Sequence, residues 1–259
     1  MEPNLKEDYE IKLLLNPDIT LDLTTQTFPT PIPALLSLLS ASPTPIKMTV
    51  QFLDTPTQTL YRSGWSPRIR RTSAKPLELE LTYKKRYHIT DEDVNAALTL
   101  ANADGFDAGD AKYEAQVEWG CESMTLSISR DKKVVDGNVE LPDAVKSREM
   151  MVAEAPGKFK NFGEEEGIGV RLLSEARVYG PVLAERYTGV WEGKKVSLEI
   201  WKVVIIAEGR IEWVVEVSFK VKERGEGEGP RKRLMDELEG RGWLWKRDSL
   251  KTRLIMENY

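Results

Sequence analysis

Short stretches in which charged and apolar residues alternate recur along this chain, and a period of two marks an extended strand with two unlike faces. Asp8, Glu10 and Lys12 alternate with Tyr9, Ile11 and Leu13, and Arg68 and Arg70 flank Ile69. Glu78, Glu80, Thr82 and Lys84 alternate with Leu77, Leu79, Leu81 and Tyr83. Late in the chain Glu216, Ser218 and Lys220 alternate with Val217 and Phe219. The pattern predicts strands over 6–15, 47–53, 67–71, 77–87, 113–119, 124–130, 178–187, 195–204 and 212–222, with a final short one over 250–256. Pairs 113–119/124–130 and 195–204/212–222 read as hairpins, the second turning near Glu208-Gly209.

Helices are fewer. Residues 33–41 form a short apolar candidate with proline in its first turn. The clearest is 91–103, where Thr90 suits the N-cap, Asp93 the capping-box position, and Val94, Ala97, Leu98 and Ala101 a buried stripe stopped at Gly105. A third is expected to start at Pro230, carry Leu234 and Leu238, and end near Gly240, after a flexible 225–229 connector. Residues 131–170 show no stable period and read as an excursion or lid on a single domain spanning 1–259.

An ordinary sheet would turn its charged face to water. Here, however, charges are segregated by strand, and the opposite faces (Ile11, Leu13, Leu79, Leu81, Tyr83, Val215, Val217, Phe219) form a complete apolar layer that outer helices could cover. The alternative is an α+β fold: a closed antiparallel β-barrel of about eight or nine strands, helices packed outside, and a polar bore.

Composition narrows the function classes. With 37 basic and 42 acidic residues and a net charge of −5, general nucleic-acid binding is not expected, although the interspersed charges leave room for a local basic cavity. The single cysteine, Cys121, cannot form an internal disulfide, and no apolar run reaches the roughly 20 residues of a spanning helix. Met1 opens onto charged residues rather than a signal peptide, so a soluble cytoplasmic protein without membrane partners is expected. The lone histidine, His88, excludes a histidine metal cluster and reads as a strand-end surface residue. Cys121 reads as an inert thiol, and Gly225–Gly229 lacks the Gly-Lys-Ser/Thr end of a phosphate loop. Glu118, Arg130 and Arg177 read as ordinary solvated charges.

The order of short motifs resembles the CYTH superfamily, the triphosphate tunnel enzymes that include thiamine triphosphatases and one class of adenylyl cyclases. Its opening acid-x-acid-x-Lys strand is matched by Asp8-Tyr9-Glu10-Ile11-Lys12. Phe52-Leu53-Asp54-Thr55-Pro56 is followed by Arg68-Ile69-Arg70-Arg71, and then by Leu81-Thr82-Tyr83-Lys84. Arg186 follows Gly180-Pro181, Glu199 sits in Ser197-Leu198-Glu199-Ile200, and Glu216-Val217-Ser218-Phe219-Lys220 precedes a terminal Lys251. The resemblance implies a tunnel in which Lys12, Arg68, Arg70, Lys84, Arg186 and Lys251 neutralise a phosphorylated small molecule. It further implies that Asp8, Glu10, Glu199 and Glu216 hold Mg²⁺ or Mn²⁺ for hydrolysis of a triphosphate to a diphosphate and phosphate, Glu10 counting with the catalytic set as well.

Two departures from that pattern bear on the chemistry: Ser218 replaces the second acid of the late strand, and Asp8 replaces a longer Glu. Together with Met150, Met151, Phe159 and Phe162 in the excursion, they motivate two alternatives. One is a cyclase or isomerase of a small apolar or diphosphate-bearing metabolite. The other is a non-catalytic polyphosphate or nucleotide binder.

Overall fold

The computed structural model describes residues 4–24, 28–109, 112–163, 165–248 and 251–259. In chain order its strands are β1 (Glu7–Leu15), β2 (Leu21–Asp22), β3 (Thr30–Pro31), β4 (Ile46–Asp54), β5 (Trp65–Thr72) and β6 (Lys75–Ile89). They continue as β7 (Glu114–Trp119), β8 (Met124–Val135), β9 (Arg177–Trp191), β10 (Lys194–Ile205), β11 (Arg210–Val221) and β12 (Leu244–Trp245). β2 and β3 pair with each other, and β12 adds two residues alongside β1. The remaining nine strands close into a ring in the order β1-β11-β10-β9-β4-β5-β6-β8-β7, with β7 returning to β1.

The barrel is therefore present, but it is mixed rather than wholly antiparallel. Neighbours alternate in direction everywhere except at β1 and β7, which run parallel with Glu7 beside Ala115 and Ile11 beside Trp119. A ring with an odd number of strands cannot alternate throughout, so nine strands require one parallel seam.

The wall separates two apolar clusters. Outside, Ile11, Leu13, Leu79, Leu81, Val217 and Phe219 are fully or almost fully buried beneath helices that contribute Leu35, Leu98, Leu172, Leu234 and Leu238. Each such side chain stabilises the fold by about 1.5–3 kcal/mol relative to exposure. Inside, Met48, Val50, Phe52, Val182, Trp201, Val203 and Val214 form a second cluster with Ile255 and Met256 of the C-terminal helix. Val50 lies directly opposite Arg70 across the β4–β5 ladder, so the two share the bore face.

Three helical expectations change. The helix predicted over 91–103 begins at Val94, because Asp91 and Glu92 have φ of 50° and 58°, outside helical geometry. Asp93 is its N-cap, accepting the Ala96 N–H at 2.9 Å. The expected 225–229 connector is helical, within Arg224–Gly240, opened by a reciprocal Glu223/Glu226 capping box. A Cβ on Gly227 would stand 3.2 Å from Ile11 and Val221 side-chain carbons, so glycine here permits close approach of the helix to the barrel rather than flexibility. The strand predicted over 250–256 is instead the helix Lys251–Asn258, and Leu250 lies outside the described residues.

Within 131–170, residues up to Val135 extend β8, and short helices follow at Ala144–Ala153, Gly157–Lys160 and Ile168–Ser174, the last running past 170. Phe159 is fully buried with its ring 5.0 Å from Trp65 and 5.2 Å from Tyr83, against the apolar side of the barrel wall.

Candidate active site

Alternation along the barrel strands aims polar side chains into a cavity of about 300 Å³. β1 supplies Glu10 and Lys12, β5 supplies Arg68 and Arg70, and β6 supplies Lys84 and Arg86. Gln116 and Glu118 come from β7, Arg186 from β9, Glu199 and Trp201 from β10, and Glu216, Ser218 and Lys220 from β11. Lys251 enters from the first turn of the C-terminal helix. All six basic positions expected from the sequence are thus brought together, with Glu10, Glu199 and Glu216. Asp8 is not among the residues lining this cavity. It pairs with Lys222 at 2.8 Å, where both side chains are exposed.

Two ionic clusters organise the cavity. In the first, Glu118 receives Lys84 at 2.8 Å and Lys12 at 3.3 Å, with Arg86 at 3.9 Å, while Lys12 also meets Glu10 at 3.1 Å. The Gln116 amide, oriented by its partners, donates to Glu10 and accepts from Lys220, both at 2.9 Å. Burial pushes the Glu118 carboxyl up, but Lys12, Lys84 and Arg86 outweigh it and hold it well below the usual range. Burial acts the same way on Glu10, where Lys12 and Lys220 prevail and lower it. Two ammoniums thus share Glu118, and only Lys12 has Glu10 as well. Lys12 accordingly holds its proton more tightly than a free lysine despite burial, whereas burial depresses Lys84 to about 8.

In the second cluster Arg186 donates to Glu199 Oε1 from Nε at 2.9 Å and Nη2 at 2.6 Å, and Trp201 Nε1 donates to Oε2 at 2.8 Å. Lys251 Nζ reaches Glu199 Oε2 at 3.0 Å and Glu216 Oε1 at 2.7 Å. Burial opposes the charge on Glu199, yet Lys251 and Arg186 hold its carboxyl well below the usual range. Burial likewise works against the Lys251 ammonium, but Glu199 and Glu216 raise it.

Arg68 and Arg70 stand apart. Arg70 pairs with Glu80, and Arg68 reaches the same carboxylate only at 4.0 Å. Burial and the adjacent Arg68 weaken the hold of Arg70 on its proton, and Glu80 opposes them without prevailing. The Nε atoms of both arginines are buried without a hydrogen-bond partner, as is Glu216 Oε2. Unmet buried donors of this kind mark a place where an acceptor-rich ligand would be received.

The carboxylates expected to hold Mg²⁺ or Mn²⁺ do not form a ligand cluster. Among the described residues no group of three or more His, Cys, Asp or Glu side chains is placed to hold a metal ion. Asp8 is bound to Lys222, Glu10 to Lys12, Glu199 to Arg186 and Lys251, and Glu216 to Lys251. Ser218, opposite Lys12 and Ser197, leaves no acid at the remaining strand position. These residues as arranged do not fit a divalent cation.

Sequence reasoning read Glu118 as a solvated charge, whereas it lines the cavity with three cations on its carboxylate, and it did not place Arg86 in the site. Both had a usable signal: Glu114, Gln116 and Glu118 alternate with Ala115, Val117 and Trp119, and Arg86 continues the β6 series two residues beyond Lys84. His88 and Arg177 are exposed, as expected.

No protein-family model matches the sequence, and no curated protein matches it. Solved structures do. HpAC1 from Hippeastrum, a candidate adenylyl cyclase with a dominant triphosphatase activity, superposes with a TM-score of 0.58 at 16% identity, covering 96% of each chain. A candidate adenylate cyclase from Bacillus halodurans covers 94% of this chain and 92% of its own at 10% identity and a TM-score of 0.49. Over nearly the whole of both chains the fold is that of HpAC1.

Proposed function

We propose that this protein is a phosphoanhydride hydrolase that draws the phosphate chain of a triphosphate-bearing small molecule into its bore and releases the terminal phosphate. The observation that carries the reading is the Arg68/Arg70 pair, two half-buried arginines whose Nε donors are buried and unmet, lining a cavity that also holds Lys12, Lys84, Arg86, Arg186, Lys220 and Lys251. Guanidinium forks match phosphate oxygens two at a time, and phosphoryl transfer requires alignment and charge stabilisation more than covalent assistance. The triphosphatase activity of HpAC1 supports the same chemistry on this fold.

The test is orthophosphate release from inorganic triphosphate, thiamine triphosphate and ATP, each with Mg²⁺, with Mn²⁺ and with EDTA. Release from at least one substrate is expected. Pyrophosphate together with cyclic AMP from ATP, without orthophosphate, would indicate a cyclase, and no product under any condition would overturn hydrolysis. A second reading, a polyphosphate or nucleotide binder without turnover, is favoured by one observation: every expected metal-binding carboxylate already has a cationic partner. Tight binding of tripolyphosphate with no product would select it.

A further inference from the structure

Glu199 and Glu216 occupy directly opposed positions on β10 and β11. Both are almost wholly buried. Like charges so placed repel, and without an intervening cation the pair would destabilise the ladder. Here the intervening charge belongs to the chain itself: Lys251 Nζ stands 3.0 Å from one carboxylate and 2.7 Å from the other. Its ammonium also lies 5.0 Å from the centre of the Trp201 ring, a cation–π contact that fixes it laterally.

The remaining oxygens sharpen the point. Both oxygens of Glu199 accept N–H groups, Oε1 from Arg186 and Oε2 from Trp201 and Lys251. Glu216 has one oxygen on Lys251 and the other, Oε2, buried without a partner. Only one carboxylate oxygen of the four is therefore available, too few for a divalent ion that takes about six oxygen ligands.

We infer that Lys251 is a built-in counter-cation that takes the place of a divalent metal between Glu199 and Glu216, and that the bore grips its anion without one. The second half of this inference rests on the triphosphate reading above, whereas the first half does not. Because Lys251 opens the C-terminal helix, the same contact fastens that helix to the bore and ties anion binding to helix docking.

The experiment titrates Mn²⁺ into wild type, Lys251→Met and Lys251→Met/Glu216→Gln, reading free Mn²⁺ by electron paramagnetic resonance, without added anion. Methionine keeps an apolar stem against Trp201 while removing the charge. Wild type is expected to bind Mn²⁺ no tighter than about millimolar, Lys251→Met at least about tenfold tighter, and the double variant to lose that gain. In parallel, calorimetry with sodium tripolyphosphate on wild type is expected to give an affinity in EDTA at least equal to that in Mg²⁺. Wild type binding Mn²⁺ as tightly as Lys251→Met overturns the inference, and so does tripolyphosphate binding seen only with Mg²⁺. Should Lys251→Met fail to fold, tight Mn²⁺ binding by wild type alone overturns it, and weak binding supports it. Absence of tripolyphosphate binding in every arm overturns the triphosphate reading instead, and the Mn²⁺ arms still decide the role of Lys251.

Discussion

The bore has two halves built on opposite principles. On one side Lys12, Lys84, Arg86 and Glu118 form a buried ionic network, with Arg68 and Arg70 beside it. On the other, Met48, Val50, Val182, Val203 and Val214 meet Ile255 and Met256 in an apolar cluster. The C-terminal helix joins them: Lys251 at its start faces the charges, and Ile255 and Met256, one turn on, face the apolar wall. Apolar side chains gain stability simply by leaving water. Buried charges cost stability unless each finds partners, so they persist where they serve a ligand. The unmet Nε donors of Arg68 and Arg70 lie on the ionic side.

The largest predicted effects separate the halves by rescue. Glu118→Leu, which strands Lys12, Lys84 and Arg86 without their shared carboxylate, is expected to cost about 3–5 kcal/mol in urea denaturation. Adding Lys84→Met should recover part of that loss. Phe52→Ala, on the apolar side, is expected to cost a similar amount, about 3–5 kcal/mol. It should gain nothing from Lys84→Met, and equal rescue of both would break the distinction.

Next in size, Arg68→Ala/Arg70→Ala is expected to reduce orthophosphate release by about 10²–10³-fold. The change in urea midpoint should be smaller than for Glu118→Leu, because the Nε donors of both arginines are unmet in the free protein and the pair gives up only its contacts with Glu80.

The pH dependence is smaller and has a definite sign. Burial depresses Lys84 to about 8, below its value in the unfolded chain, so between the two the unfolded state binds more protons. The Lys84 contribution to stability therefore rises as pH increases from about 8 toward the ordinary lysine range near 10.4. Anion affinity moves the other way, weakening above about pH 8 as Lys84 loses its charge. Lys84→Arg, which stays charged, should flatten the affinity profile measured by calorimetry with tripolyphosphate. Smallest of all, Asp8→Asn removes an exposed pair with Lys222 and is expected to change stability by less than about 1 kcal/mol. Phosphate release should be almost unchanged. A large loss would return Asp8 to the site.

Alternation made the charged half legible in the sequence, since Glu10, Lys12, Arg68, Arg70 and Lys84 sit on strands whose opposite faces are apolar. It could not reveal the apolar half, because β4 is buried on both faces from Val50 to Asp54, the polar Gln51 included, so burial there leaves no alternation to read. The parallel seam was hidden as well, since it follows from the strand count at closure rather than from any residue. Lys251 was found as a site residue but placed on a strand, because Leu254, Ile255 and Met256 suit either period. The 225–229 glycines misled for a related reason. Their composition is that of a linker, while the helix they form depends on the capping box and the close approach at Gly227.

The most direct test of the central claim is a crystal structure of the wild-type protein grown with tripolyphosphate in EDTA. The phosphate chain should lie in the bore, with its oxygens on the Nε and Nη atoms of Arg68 and Arg70. Saturating binding in calorimetry, with the anion located on the outer surface and the bore free of it, would contradict the account.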